Sequence, residues 1–224
     1  MRQLHLPMRI WDLPTRLFHW VLVLFIFTSW LSAELNWMRV HLLSGLTILS
    51  LLLFRLIWGF IGSDTARFAH FLQSPLAALR HLMHLPRREP DLEVGHNAAG
   101  GWMVLLFLAL LALQVGTGLC ANDDALTEGP LVRIVGKARS DWLTHIHDVN
   151  FTLIEIAVAL HVLAIITYRL LKGHNLLSPM LTGKKRLPGA TRAPRMMHPM
   201  LALAVFVFCA VAVILFMVTV GFSL

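Results

Sequence analysis

Hydrophobic positions in this chain gather into five long, almost unbroken runs, at 17–35, 40–61, 102–120, 151–171 and 201–222. Each has the length a helix needs to cross about 30 Å of hydrocarbon. The pattern predicts five membrane-spanning helices. The first run is too long for a removable signal peptide and is followed by no convincing A-x-A cleavage site, so it is expected to stay in the mature protein.

Between the runs lie two informative polar stretches. "ARFAHFLQSPLAALRHLMHLPRR" (66–88) mixes Phe, Leu, Arg and His and predicts a helix lying at the membrane surface. "ANDDALTEGPLVRIVGKARSD" (121–141) reads as a solvated loop of mixed charge, a composition suited to transient contact with a partner. Composition agrees with the runs. Hydrophobic residues make up 57% and charged residues 14%, with a mean hydropathy of +0.71, outside the range of soluble globular domains.

Charge then orients the spans. With the N-terminus inside, the inner segments hold Arg2, Arg9 and Arg16, then Arg67, Arg80, Arg87 and Arg88, then Arg169, Lys172, Lys184, Lys185, Arg186, Arg192 and Arg195. The outer segments hold Arg39, Arg133, Lys137 and Arg139, and Arg55 lies inside the second span. Fourteen against four places the N-terminus in the cytoplasm and the C-terminus outside. The net charge of +7 is accordingly a topological signal. The basic stretches flank membrane spans and carry no DNA-binding motif, so nucleic acid is not an expected partner.

Only two cysteines occur, Cys120 and Cys209, with no C-x-x-C, no C-x-x-C-H and no zinc-like spacing. Any metal must be held mainly by other side chains. Twelve histidines are available. "HDVNFTLIEIAVALH" (147–161) opens and closes on two of them, fourteen positions apart, which puts both rings within roughly 40° on one helix face and about 21 Å apart along the axis.

Placed on the expected topology, His41 and His147 share the outer depth, and His19 and His161 the inner depth. An imidazole in hydrocarbon costs free energy unless its nitrogen finds a partner. Iron porphyrin with two axial histidines supplies one while burying its own apolar surface between helices. Two bis-histidine haems of the b type fit the four positions. The alternative is that each histidine only caps a helix or bonds a neighbour.

Other residues share these depths. Arg55 stands fourteen after His41 and either pairs with a haem propionate or snorkels to the interface. Gly45, and Gly116 with Gly118 on the third span, would let a flat macrocycle approach the backbone, although small residues also serve ordinary helix packing. Glu155, midway along the fourth span, either faces the bundle interior or is neutral and structural. His81 and His84 are spaced i, i+3, but no further ligand nearby completes a metal site. His145, two positions from His147, faces away from it on a helix. The fifth span has no charge within it and only His198 at its start, so it reads as a packing or partner-docking helix.

"RIWDLPTRLFHW" (9–20), "RVHLLSG" (39–45), "RLIWGFIG" (55–62), "RFAHF" (67–71), "GHNAAGG" (95–101) and the His-x13-His helix resemble the bacterial cytochrome b561 and nickel–iron hydrogenase cytochrome b family. The resemblance covers roughly residues 8 to 175. It implies haem ligation by His19, His41, His147 and His161. It also implies a quinone pocket beside the inner haem, near His96 and Asn97; Asn97 is equally suited to capping the third span. Ala98 stands where the family pattern often has proline.

The resulting expectation is an all-α integral membrane protein of the bacterial inner membrane. A four-helix haem-binding bundle occupies 1–175, a basic cytoplasmic linker 176–197 and a further transmembrane helix 198–224. Electrons are expected to pass between quinone and a periplasmic cytochrome c or a hydrogenase- or dehydrogenase-type subunit. A stand-alone superoxide:quinone oxidoreductase and a non-redox membrane scaffold are the alternatives.

Overall fold

The computed structural model describes residues 5–84, 90–124 and 127–222. Arg2, Arg87 and Arg88, counted above among the inner cations, lie outside the described residues. In chain order the elements are β1 (His5–Arg9), α1 (Leu13–Glu34), α2 (Met38–Ile61), a 3-10 turn (Asp64–Ala66), α3 (Phe68–Phe71), α4 (Pro75–Met83), α5 (Ala98–Gly118), α6 (Val132–Val135), α7 (Lys137–Thr167), a π turn (Tyr168–Lys172), α8 (Leu177–Thr182), β2 (Lys184–Pro188) and α9 (Pro199–Thr219). Among the described residues, five helices are long and apolar enough to span a membrane: α1, α2, α5, α9, and α7 continued to Lys172. Each overlaps one of the five hydrophobic runs. The chain is a mostly helical, multi-pass membrane protein.

The chain divides into two compact units. The first comprises Met1–Leu17, Leu56–Leu106 and Val158–Leu203. It begins with a strand pair absent from the sequence reading, since β1 runs antiparallel to β2 with His5 opposite Pro188 and Arg9 opposite Lys184. The segment expected as a linker over 176–197 therefore holds α8 and β2. Leu187 from β2 packs with Ile10 and Trp11 in a small buried cluster. Gly183 closes this join: its carbonyl accepts from Ile10 N at 2.8 Å, its φ is +79°, and a Cβ there would meet the Trp11 carbonyl oxygen at 2.9 Å.

Asp12 then starts α1. Its Oδ1 accepts from Thr15 N at 2.7 Å, an N-cap ahead of proline in the first turn, and its Oδ2 accepts from the indole N–H of fully buried Trp58 at 3.0 Å. One carboxylate thus fixes the start of α1 against the end of α2. Ser74 and Pro75 start α4 in the same way, with Ala77 N donating to Ser74 Oγ at 3.2 Å. Leu76, Leu79, Leu82 and Met83 of α4 remain exposed, the apolar face expected of a surface-lying helix.

The second unit comprises Phe18–Arg55, Phe107–Ala157 and Ala204–Leu224. Its core is Ile48 and Leu52 of α2, Leu111 and Val115 of α5 and Ile154 of α7, with Leu22, Phe25 and Ile26 of α1 packed against it. The α9 helix joins through Phe206, whose ring meets Phe54 at 6.2 Å. Cys209, Val213 and Met217, four residues apart, form the buried stripe of α9.

The fourth span starts earlier than the hydrophobic run. The α7 helix begins at Lys137, so His147 sits ten residues inside it rather than at its start. Polar pairing explains the extension. Ser140 is fully buried and donates to the Cys120 carbonyl at 2.6 Å, Asn122 Nδ2 reaches Ser140 Oγ at 2.6 Å, and Lys137 pairs with Asp124 and Asp141. These bonds fasten a polar helical turn to Cys120, Asn122 and Asp124.

Candidate functional site

His41 and His147 come together in the second unit. Their ring centroids lie 6.2 Å apart with the planes 78° to one another. Each ring is anchored by its Nδ1. His41 Nδ1 lies 2.9 Å from the Ser29 carbonyl oxygen, and His147 Nδ1 lies 2.9 Å from that of Gln114. Donation to a carbonyl requires a hydrogen on Nδ1 and leaves the Nε2 lone pair of each neutral ring as its acceptor. Both rings are therefore set in the tautomer a metal ligand needs, with the outer-shell carbonyl that usually orients such a ligand.

Both carbonyls belong to transmembrane helices. Ser29 and Thr117 add hydroxyls 3.2 Å from the same Nδ1 atoms. Gln114 is tied in turn to α7, because Asn150 Nδ2 donates to its side-chain oxygen at 2.7 Å and to the Leu110 carbonyl at 2.9 Å. Asn150 is only 1% exposed. Its position three residues after His147 gives α7 a polar clamp on α5 just inside the ligand pair.

The two rings line a cavity of about 460 Å³. Most of its wall is apolar, with Ile26, Leu46, Ile48, Leu111, Val115 and Phe151 among the lining residues, and Glu34, Asp123 and Asp148 add carboxylates. Gly45 lines it too, and a Cβ built there meets nothing within 4 Å. Gly118 plays a different part from the one expected of it: a Cβ there would strike His147 Cε1 at 2.8 Å, so its bare Cα makes room for the ligand ring. Gly116 faces open space and does not touch His147.

These residues fit an iron porphyrin with two axial imidazoles. With metal–nitrogen bonds of about 2 Å and each nitrogen about 1.1 Å from its ring centroid, one metal held by both imidazoles would set their centroids at most roughly 6.2 Å apart. The measured separation matches. A mainly apolar cavity of this size is also in the range of cofactor sites.

The other expected ligands are less closely specified. His19 is half-buried near the start of α1, in the second unit, with its ring edge-on to Trp20 at 4.9 Å. His161 is half-buried on α7 and belongs to the first unit. Arg55 is 2% exposed, so it does not snorkel to an interface. Glu155 stands on the exposed side of α7 and does not face the interior. Among the described residues, no group of three or more His, Cys, Asp or Glu is placed to hold a metal.

Near the expected quinone pocket, Asn97 does cap α5: Gly100 N donates to its Oδ1 at 2.8 Å. Its Nδ2 donates to the Tyr168 hydroxyl at 3.0 Å. His96 is held between Trp11 and Phe71, with ring centroids at 4.6 and 4.7 Å. Tyr168, Gln114 and Asn150 escaped the sequence reading. The available signal was a polar side chain inside or at the end of an apolar run.

No curated protein and no solved structure matches the chain. Residues 10–183 match the family model described as prokaryotic cytochrome b561. That stretch contains all four candidate ligands and the elements from the end of β1 to α8. The chain belongs to the prokaryotic cytochrome b561 family, a membership that implies b-type haem and electron transfer within a membrane.

Proposed function

We propose that this protein carries electrons across the bacterial inner membrane through two bis-histidine b haems, linking a periplasmic redox partner to the quinone pool of a respiratory chain. The observation that carries this reading is the His41–His147 pair, spaced for axial ligation and fixed in the ligating tautomer by two main-chain carbonyls. His19 and His161 are the second pair, by family resemblance and by their matched depth. The charge count supports a cytoplasmic N-terminus and a periplasmic C-terminus.

Haem bound between these histidines supplies a one-electron iron couple. The protein contributes the rest. His41 and His147 hold the group and the Ser29 and Gln114 carbonyls aim them, while the apolar wall keeps water out. Arg55, buried on α2 fourteen positions after His41, offers a guanidinium to a propionate at the depth of the second pair. Asn97 offers its remaining amide hydrogen to a quinone oxygen, and His96 lies beside it in sequence.

Glu34, Asp123 and Asp148 bear on the identity of the partner. Carboxylates lining the cavity repel an anion such as superoxide and attract a basic protein surface. A basic cytochrome c or a dedicated hydrogenase- or dehydrogenase-type subunit is favoured over stand-alone superoxide oxidation. Proteoliposomes loaded with a benzoquinone test the choice. Reduced cytochrome c added outside should reduce the haems rapidly, with a rate that falls as salt rises. Faster reduction by superoxide, independent of any added protein, would favour the other enzyme; haem-free protein would leave only the scaffold reading.

A further inference from the structure

The first unit contains a chain of hydrogen bonds that ends in a second cavity. Tyr168 is the one tyrosine in the sequence, is 6% exposed and opens the π turn at the end of α7. Such turns recur at functional sites. Its hydroxyl oxygen lies 3.0 Å from Asn97 Nδ2 and 2.6 Å from His81 Nε2. The His81 ring lies nearly parallel to the phenol, with 16° between their planes. His81 also borders an open cavity of about 250 Å³, together with Arg80, His84 and Glu93.

The direction of each proton follows from what each group can donate. Gly100 N–H donates to Asn97 Oδ1, which assigns that atom as oxygen and turns the amide nitrogen toward Tyr168. An amide nitrogen only donates, so the phenol oxygen accepts from Asn97 and sends its own proton to His81 Nε2. Protonation of His81 at Nε2 reverses that last bond. The phenol proton must then turn away from the imidazole. Asn97 Nδ2 carries a second hydrogen, and an oxygen that accepts it lies about 5 Å from the Tyr168 hydroxyl, because the two N–H bonds of one planar amide diverge by about 120°, a gap that one water molecule bridges.

Building on the quinone reading above, we propose that Asn97, Tyr168 and His81 form a proton relay between a quinone oxygen held at Asn97 and the cavity bordered by Arg80, His84 and Glu93. For each proton delivered, the Tyr168 O–H bond breaks as its proton passes to the bridging water, and that water gives one of its own protons to form the substrate O–H bond. The phenol is restored by the proton on His81 Nε2. His81 returns to its neutral form and is recharged from the cavity once its ring has turned. Two such cycles supply the two protons of a quinol, while the two electrons arrive singly through the haem iron.

The surrounding charges favour a histidine that can gain and lose a proton. Glu93 lines the cavity and stabilises imidazolium, whereas Arg80 on α4 opposes it; His84, the residue that ends α4, borders the same cavity. On the other side of Tyr168 stands His174, whose ring centroid is 6.3 Å away and whose Nδ1 lies 3.9 Å from Asp91. Asp91 is itself paired with Lys185.

The test uses the haem-loaded full chain with a short-chain benzoquinone, comparing wild type with Tyr168→Phe, His81→Gln and His81→Ala. Tyr168→Phe should keep its haem content and reduced spectrum but lose about a hundredfold in quinone turnover, in line with general acid catalysis, with KM little changed. His81→Ala should be slowed similarly and recover with added imidazole. Because only one tyrosine is present, its phenol band in a redox-induced infrared difference spectrum needs no labelling. That band should shift on quinone reduction and move in His81→Gln.

Turnover of Tyr168→Phe within about twofold of wild type, against the hundredfold loss expected of a missing acid, would overturn the relay and leave the quinone reading standing. A wild type that carries its haems yet turns over no quinone would overturn both. Should Tyr168→Phe fail to fold, imidazole rescue of His81→Ala decides: rescue supports the relay, and a slow variant without rescue overturns it.

Discussion

His41 and His147 face one another at 6.2 Å between ring centroids, and each holds its Nδ1 against a main-chain carbonyl 2.9 Å away. The two carbonyls come from different helices, Ser29 on α1 and Gln114 on α5, while the rings come from α2 and α7. Four spans therefore take part in holding this one pair of rings. That interlock makes the site sensitive to changes in residues that touch no cofactor.

The glycines give the sharpest contrast. Gly118→Val places carbon where His147 Cε1 stands, and Gly45→Leu fills cavity space, so both should lose the haem of this pair while keeping full helicity. Gly116→Leu, with nothing within 4 Å of its Cβ, should retain it. Haem absorbance against far-ultraviolet circular dichroism measures the difference.

The Asn150–Gln114 bond offers an energetic test. Gln114→Leu leaves the buried Asn150 amide short of an acceptor and should cost roughly 1 to 3 kcal/mol. The double variant with Asn150→Leu should recover part of that loss. A thermal unfolding cycle in detergent reads the coupling, expected at about 0.5 kcal/mol or more for residues in direct contact.

Asp12 serves two bonds at once. Asp12→Ala removes the α1 cap and the acceptor of the Trp58 indole, so it should destabilise more than a cap alone, by about 2 kcal/mol or more. Trp58→Phe keeps the cap but removes the indole donor and should fall between wild type and Asp12→Ala. Thermal melts of the three proteins check the order.

Lys137 and its partners Asp124 and Asp141 form exposed ion pairs. Lys137→Gln should leave stability and haem content unchanged, since solvent and salt screen such pairs. A large loss in a melt at physiological salt would mean that the pair, and not the buried Ser140 bond, fastens the start of α7.

The spans were legible because hydrocarbon imposes length and composition on every helix that crosses it, and one chain carries that signal alone. The His41–His147 pair was legible for a related reason. Depth follows from counting residues, and matched depth is a precondition for a shared ligand. What stayed hidden depends on residues distant in sequence. The strand pair joins positions 5–9 to 184–188, and Tyr168 meets His81 across 87 positions. The polar start of α7 reads as loop until Ser140 finds the Cys120 carbonyl. Gly118 was expected to admit a flat macrocycle, and the group its bare Cα accommodates is the His147 ring.

Haem stoichiometry tests the central claim most directly. Pyridine-haemochrome quantitation with reduced-minus-oxidised spectra should give two b haems per wild-type chain. His147→Ala and His41→Ala should each retain one with the same spectrum, and His161→Ala should retain the other. Two haems surviving in His147→Ala, or one haem per wild-type chain, would contradict the account.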